Sequence, residues 1–314
     1  MPDLTWHYLH TLEGHTDAVE SIALSPDGYT LLSRAWDRTL KLWQWQSGQL
    51  LSTLPMHRTA VECFALSPDG EIVAVNRSWN IIELIKMPTG ESVHTFEHML
   101  SIDETGEHLN CVAFTPDGRW LYTASSGGNV YMWDLHAPDG QPEFRVCING
   151  SGYAMSDFVI SPDGQFMVGY YPSWIKLLEL STEAAGRGHL RYRRKTGDKV
   201  ISSLALSPDG QRLAVGYRDG TLGLWQVHGA KRLATWGHHD EYTTSLSFSP
   251  DGTILASGGN EDATIKLWDV NSTQELCSLP GHGEAIKTLL FTADGHTLLS
   301  GSRDHSIRVW QAQS

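Results

Sequence analysis

Along the chain, short runs of alternating apolar and polar residues are stopped again and again by the same few residue types. The clearest is Ala18-Val19-Glu20-Ser21-Ile22-Ala23-Leu24, which ends at Ser25-Pro26-Asp27-Gly28. A period of two buries one face of an extended strand, and the stop is hairpin chemistry. Proline presets φ, aspartate can bond the backbone ahead of it, and glycine takes the left-handed conformation that other residues resist. After this turn the pattern predicts strands at Thr30 to Ser33, Leu40 to Trp43 and Leu50 to Leu54. Helical periodicity is not sustained anywhere.

The unit recurs. Ser-Pro-Asp-Gly stands at 25–28, 67–70, 161–164, 207–210 and 249–252, with Thr-Pro-Asp-Gly at 115–118 and Thr-Ala-Asp-Gly at 292–295. The turn aspartates Asp27, Asp69, Asp117, Asp163, Asp209, Asp251 and Asp294 are 42, 48, 46, 46, 42 and 43 residues apart. That is the period of a four-stranded propeller blade. The expected fold is all-β: a seven-bladed β-propeller, each blade a four-stranded antiparallel sheet, with residues 1–314 as a single domain. The seventh turn is followed by only two strands, Leu298 to Gly301 and Ile307 to Trp310. The missing fourth strand is expected at the other end, about residues 5–12 including Trp6 to Leu12, pairing with the last blade at about 283–312. Such a join closes the ring and removes exposed sheet edges.

The residues at blade ends carry a resemblance. Gly14-His15, Gly281-His282, Leu42-Trp43, Leu267-Trp268-Asp269, Met132-Trp133-Asp134 and Val309-Trp310 resemble the WD-repeat (WD40-type) propeller family over essentially the whole chain. The resemblance implies a hydrogen-bonded brace in each regular blade: a His before the first strand, a Ser or Thr of the second, the Asp of the next tight turn, and a third-strand Trp. The chemistry is reasonable without the family, because a buried indole N–H needs an acceptor that a hydroxyl, an imidazole and a carboxylate can supply in series. Counted from the turn aspartates, three sets are complete: His15, Ser33, Asp37, Trp43; His238 or His239 with Ser257, Asp262, Trp268; and His282, Ser300, Asp304, Trp310. Blade two keeps His57 but has Trp79 and Ile85 in the Asp and Trp places. Blade three keeps Thr123 and Trp133, has Gly127 for the Asp, and carries an insertion from Met99 to His108. Blade four reads Ile175-Lys176-Leu177-Leu178 with none of the set, and blade five keeps Asp219 and Trp225 alone. Blades two to five have either decayed, supported by their neighbours, or been reshaped for binding.

Charge and cysteine usage narrow the function classes. A formal net charge of -13, from 36 acidic and 23 basic residues, repels phosphate at long range and speaks against nucleic acid or anionic membrane as partners. One local exception is the basic stretch Arg187, Arg191, Arg193, Arg194 and Lys195, which reads first as a solvated outer strand and loop. Cys63, Cys111, Cys147 and Cys277 are far apart, with no metal or redox spacing. With no signal-like start and no long apolar run, the expectation is a cytoplasmic protein.

Catalytic readings are weak. The trio His15, Ser33 and Asp37 has hydrolase composition, but it recurs in three blades together with Trp, as a brace does, and no G-x-S-x-G elbow occurs. His238-His239-Asp240 is no convincing metal site, since adjacent residues of an extended chain point oppositely. No phosphate-binding loop is present. No catalytic residue, metal or cofactor is expected.

The surface remains. Loops joining second to third strands, expected on the narrow face, hold Arg34 and Trp36, Arg77 and Trp79, Tyr171 and Trp174, Tyr217 and Arg218, and Arg303. Aromatic residues and arginine concentrate at binding hot spots, although some of these rings can instead pack between blades. With the acidic insertion, these residues favour blades two to five for a partner. The expectation is a non-catalytic scaffold, monomeric by itself, that binds a protein or peptide there within a larger complex. The alternative is an enzyme or small-ligand binder using the central channel.

Overall fold

A computed structural model of the chain describes residues 5–56, 63–78, 81–97, 109–136, 144–147, 155–180 and 189–313. These residues are all-β and form seven four-stranded antiparallel sheets, the blades of a β-propeller. The chain opens with β1 (Thr5–Leu12). Blade one is β2 (Val19–Leu24), β3 (Thr30–Ala35), β4 (Thr39–Gln44) and β5 (Gln49–Pro55). Blade two is β6 (Phe64–Leu66), β7 (Ile72–Ser78), β8 (Ile81–Lys86) and β9 (Glu91–Glu97); blade three is β10 (Leu109–Phe114), β11 (Trp120–Ser125), β12 (Asn129–Asp134) and β13 (Phe144–Cys147). Blade four follows with β14 (Asp157–Ile160), β15 (Phe166–Tyr171), β16 (Trp174–Glu179) and β17 (His189–Lys195). Blade five is β18 (Ile201–Leu206), β19 (Arg212–Tyr217), β20 (Leu222–Gln226) and β21 (Lys231–Trp236); blade six is β22 (Thr243–Phe248), β23 (Ile254–Gly259), β24 (Ile265–Asp269) and β25 (Glu275–Leu279). Blade seven has β26 (Ile286–Phe291), β27 (Thr297–Ser302) and β28 (Ile307–Gln313), and takes β1 as its fourth strand. The pairing runs from Thr5↔Gln313 to Leu12↔Ile307. The N-terminal strand therefore completes the last blade, as the strand count required.

The seven hairpin turns are one device repeated. The leading Ser or Thr hydroxyl donates to the aspartate Oδ1 at 2.5 or 2.6 Å. Its oxygen also accepts the backbone N–H five residues on, at 2.9 to 3.2 Å. The closing glycines lie at φ between 69° and 77°, where a side chain would be strained. The hydroxyl bonds hold Asp27, Asp69, Asp117 and Asp209 below the usual carboxylate range. At Asp251 and Asp294 burial pulls the other way, and the bonds from Ser249 and Thr292 outweigh it.

A second repeated device is invisible in the alternation. Each first strand of blades one, three, five, six and seven has a register shift around its second residue: Glu20, Asn110, Ser202, Thr244 or Lys287. Such a bulge leaves one residue outside the ladder and re-aims its side chain. Here that side chain reaches the neighbouring blade. Asn110 Nδ2 donates to Met155 O at 2.7 Å, and Ser202 Oγ to Thr243 O at 2.7 Å. Thr244 Oγ1 donates to Ile286 O, and Lys287 Nζ meets Glu20 Oε2 at 3.5 Å.

The described residues gather into two compact units. One holds residues 1–55 and 198–314, that is blades five, six, seven and one; the other holds residues 56–197, blades two, three and four. Within each, apolar faces of consecutive blades share a core. Val19, Leu31 and Trp43 of blade one pack with Leu299, Ile307 and Val309 of blade seven. In the second unit Ala74, Ile82 and Leu84 of blade two pack with Leu121, Tyr131 and Trp133 of blade three.

Candidate functional site

The loops between second and third strands are set by the brace. In blade one Trp43 Nε1 can only donate, and it does so to Ser33 Oγ at 2.8 Å. The Ser33 hydroxyl then gives its own proton to His15 Nε2 at 2.7 Å, and His15 Nδ1 donates to Asp37 Oδ2 at 2.7 Å. Burial draws the His15 imidazole below its ordinary value, in keeping with a neutral ring in this relay. Burial works against the Asp37 carboxylate, but bonds from Thr39 and His15 hold its pKa low. Asp37 also accepts the Thr39 N–H at 3.0 Å, which fixes the tight turn and leaves Arg38 at φ 64°. Blade seven repeats the set through His282, Ser300, Asp304 and Trp310, with bonds of 2.7 to 2.8 Å. In blade six the histidine is His239, bonded to Ser257 and Asp262 at 2.8 Å, while His238 is exposed. Trp268 Nε1 completes that set at 2.8 Å on Ser257 Oγ.

The remaining blades replace the brace piecemeal. In blade five Trp225 Nε1 donates to Tyr217 Oη at 3.3 Å, and Lys199 Nζ meets Asp219 Oδ2 at 2.7 Å and Thr221 Oγ1 at 2.6 Å. Tyrosine stands in for serine and lysine for histidine; neither substitution is in the register that counting follows. Blade three keeps the bond from Trp133 Nε1 to Thr123 Oγ1 at 3.2 Å, and Gly128 at φ 82° makes the turn without an aspartate. In blade four the hairpin Tyr171-Pro172-Ser173-Trp174 is one residue shorter, so pairing with Met167 puts Leu178 in the tryptophan place. Its Lys176 is 1% exposed and donates to Tyr171 Oη at 2.7 Å. Burial and the nearby Arg193 charge draw Lys176 down to about 8. In blade two Ile85 pairs with Val73 in the tryptophan register; His57 and Trp79 lie outside the described residues, as does the insertion Met99 to His108.

The nine surface candidates divide. Arg34, Tyr171 and Tyr217 are buried, which corrects their reading as surface contacts. Both tyrosines spend their hydroxyls inside the blade, on Lys176 and Trp225. Arg34 sits where Gly216, Gly258 and Gly301 stand in blades five to seven; a Cβ at any of these three would strike the next blade's first strand, so the place is interior. Trp174 is half-buried under the Arg193 guanidinium, 4.9 Å from the ring centroid. Arg77 is partly exposed and meets Glu83 at 3.4 Å. Trp36, Arg218 and Arg303 are exposed, and Trp36 reaches 54%.

In the first unit these last three are one position, nine residues after the turn aspartate. Each donates its backbone N–H to the carbonyl preceding the first strand of its own blade: Trp36 to Ala18, Arg218 to Val200 and Arg303 to Ala285, all at 2.9 Å. Asn260 does the same in blade six, to Tyr242 O at 3.1 Å. Tyr242, 39% exposed, lies with its ring 5.5 Å from the Arg218 guanidinium. Counting from the hairpins could not single it out, because it belongs to the loop before a first strand. The result is an exposed set of aromatic and arginine side chains on rigid backbone. Of the basic stretch, Arg193, Arg194 and Lys195 are exposed on β17, and Arg187 lies outside the described residues.

The brace serines cannot act as nucleophiles, since Ser33, Ser257 and Ser300 are fully buried and each already holds an indole and an imidazole. Among the described residues no three His, Cys, Asp or Glu side chains converge as metal ligands. Cys63, Cys111 and Cys277 are free thiols, and burial pushes Cys277 up to about 11. No described helix is long and apolar enough to cross a membrane.

Comparison with known proteins agrees with the blades. The family described as WD domain, G-beta repeat matches residues 6–44, 48–80, 90–134, 187–226, 230–269 and 273–311. The gap between 134 and 187 contains the first three strands of blade four, the blade with none of the brace residues. The small ribosomal subunit protein RACK1 of Candida albicans is 29% identical over 260 residues, covering 69% of this chain and 80% of that protein. Human pre-mRNA-processing factor 17 is 24% identical over 256 residues, and nuclear distribution protein PAC1-2 of Uncinocarpus reesii 25% over 276. The chain spans 41% of the former and 58% of the latter, while those matches cover 78% and 79% of the chain. By its six repeat matches and seven four-stranded blades, the chain belongs to the WD40 repeat family.

Proposed function

We propose that this protein is a non-catalytic scaffold that binds a protein or peptide through the exposed loops around Trp36, Arg218, Tyr242 and Arg303. One observation carries the reading: Trp36, Arg218 and Arg303 occupy a single structural position, each fixed by the same backbone bond, with side chains that no packing requirement keeps outside. A large ring on a fixed backbone gains apolar contact on binding without a cost for ordering the loop, while arginine adds directed bonds. The names of the relatives place them in a ribosomal subunit, in pre-mRNA processing and in nuclear distribution. This supports a role within an assembly. The protein is a monomer by itself, works in the cytoplasm, and uses neither nucleic acid nor membrane as its primary partner, consistent with its net charge of -13.

The test is affinity purification from native lysate with mass spectrometry, comparing the intact chain with Trp36→Ala, Arg218→Ala and Arg303→Ala combined. The triple variant should lose its stoichiometric partner while its thermal midpoint stays unchanged. Undiminished capture by the variant would place the binding surface elsewhere.

A further inference from the structure

We infer that blade four binds a dianion of the phosphate class at its fourth strand, β17. Arg193 makes the contact, and the buried Lys176 of β16 supplies positive charge from beneath. The site involves blade four alone and does not rest on the reading of Trp36 and its neighbours.

A position of the repeat is broken here. Two residues before the tryptophan place, the third strand pairs across to a hydroxyl on the fourth: Lys41 with Thr53, Glu83 with Thr95, Gly223 with Thr235, Lys266 with Ser278 and Arg308 with Thr11. That hydroxyl has a use, since Thr53 Oγ1 accepts Lys41 Nζ at 3.0 Å. Blade three pairs Tyr131 with Arg145, and blade four pairs Lys176 with Arg193. Cation thus stands directly against cation in blade four, an arrangement that costs stability in a sheet. Arginine has no acceptor to offer, and Lys176 Nζ turns instead to Tyr171 Oη at 2.7 Å.

Nothing balances this pair. Lys176 is inside the blade, its ammonium 4.0 Å from the Tyr171 ring centroid. Burial pushes the Tyr171 hydroxyl up to about 12, so it brings no negative charge. Arg193 is exposed and lies over the half-buried Trp174 ring, a contact that leaves guanidinium N–H groups for another partner. Among the described residues no carboxylate meets either cation, and no acceptor takes an Arg193 N–H. Buried charges are ordinarily paired; here the opposite charge is missing and Arg193 opens the pair to solvent. The two cations select the ligand. A carboxylate neutralises one of them, whereas a phosphate monoester carries about -1.5 to -2 at pH 7 and offers acceptor oxygens that match a guanidinium fork. The group belongs either to a free phosphate compound or to a phosphorylated side chain of a partner; the recognised chemistry is shared.

The experiment is titration calorimetry of the full chain at constant ionic strength, with inorganic phosphate, acetate and the peptide Gly-Gly-phosphoserine-Gly-Gly as probes. Phosphate should bind saturably and acetate at least about tenfold more weakly. Arg193→Gln, a change at an exposed residue, should weaken phosphate about tenfold or more. Lys176→Met keeps the length of the side chain without its charge and should weaken phosphate about threefold to tenfold. Phosphate should also raise the thermal midpoint of the parent more than that of Lys176→Met, a difference that a merely structural lysine would not give. Tighter binding of the peptide than of phosphate assigns the site to a phosphorylated partner; equal or weaker binding assigns it to a free phosphate compound. The proposal is overturned if neither phosphate probe binds saturably, if acetate binds as well as phosphate, or if either folded variant binds phosphate like the parent.

Discussion

Replacing Ser33 by alanine removes one oxygen and strands two buried groups. Trp43 Nε1 loses its acceptor at 2.8 Å and His15 Nε2 loses its donor at 2.7 Å, in surroundings where Ser33 and Trp43 are 0% and 1% exposed. Each stranded group costs about 1 to 3 kcal/mol when water cannot reach it. Two of them give roughly 2 to 4 kcal/mol for Ser33→Ala, after partial relaxation. Thr123→Ala removes the acceptor of the Trp133 indole, a longer bond of 3.2 Å with no histidine in series behind it, and should cost less than Ser33→Ala. The assay is urea unfolding followed by tryptophan fluorescence, with amide exchange in β3 and β4 as a local measure, because a chain of this size need not unfold in two states. A double substitution separates the relay from simple loss of packing. Phenylalanine has no N–H to strand, so Trp43→Phe should cost about 1 kcal/mol less in the Ser33→Ala background than in the parent. An effect of Ser33→Ala within about 0.5 kcal/mol of the parent, the range of a surface substitution, would refute the relay.

Lys176→Met should stabilise the protein by about 1 to 3 kcal/mol at pH 7, because it removes a buried ammonium. A lysine whose folded pKa is lowered to about 8 penalises folding below that pH and progressively less up to its unfolded value, so thermal midpoints of parent and variant should converge between pH 8 and roughly 10.5. Gly220→Ala should cost at least about 3 kcal/mol by urea midpoint, since a Cβ there would lie 1.9 Å from His239 O at φ 80°. Acidification should lower the thermal midpoint in two ranges. The lowered pKa of His15 contributes stability that is present above 6.5 and lost as pH falls, and that of Asp37 contributes stability present above 3.8 and lost below it. Asp37→Asn should reduce the loss in the lower range and steepen the upper one, because the Asp37 carboxylate holds the His15 pKa up against burial.

The fold was readable because its repeat is written in residues with strict backbone demands: a glycine at positive φ and an aspartate capped by a hydroxyl leave the same mark seven times. The three full braces were readable for a similar reason, as His, Ser, Asp and Trp recur at constant offsets. Offsets fail where geometry changes. In blade four the shorter hairpin moves the tryptophan register from Glu179 to Leu178, and in blade five Tyr217 reaches the indole from two positions beyond the usual hydroxyl. Exposure was least legible. Arg34 and Trp36 differ by two residues, yet one lies inside the blade and the other stands in solvent, because the strand ends between them. The inter-blade contacts of Ser202 and Thr244 depend on bulges, which alternation does not encode.

The strand β1 has a consequence for the timing of synthesis. Blade seven is built from both ends of the chain, since Leu12 pairs with Ile307 and Thr5 with Gln313. A ribosome adds about 5 to 20 residues per second, so β1 waits roughly 15 to 60 seconds for its partner strand to be made. During that interval Trp6, Tyr8 and Leu9 have no sheet to join, and the Trp43 face of blade one lacks the blade-seven residues Leu299, Ile307 and Val309 that cover it. The nascent protein therefore carries β1 without its partner strand until β28 has been made, and blade seven cannot be completed before then.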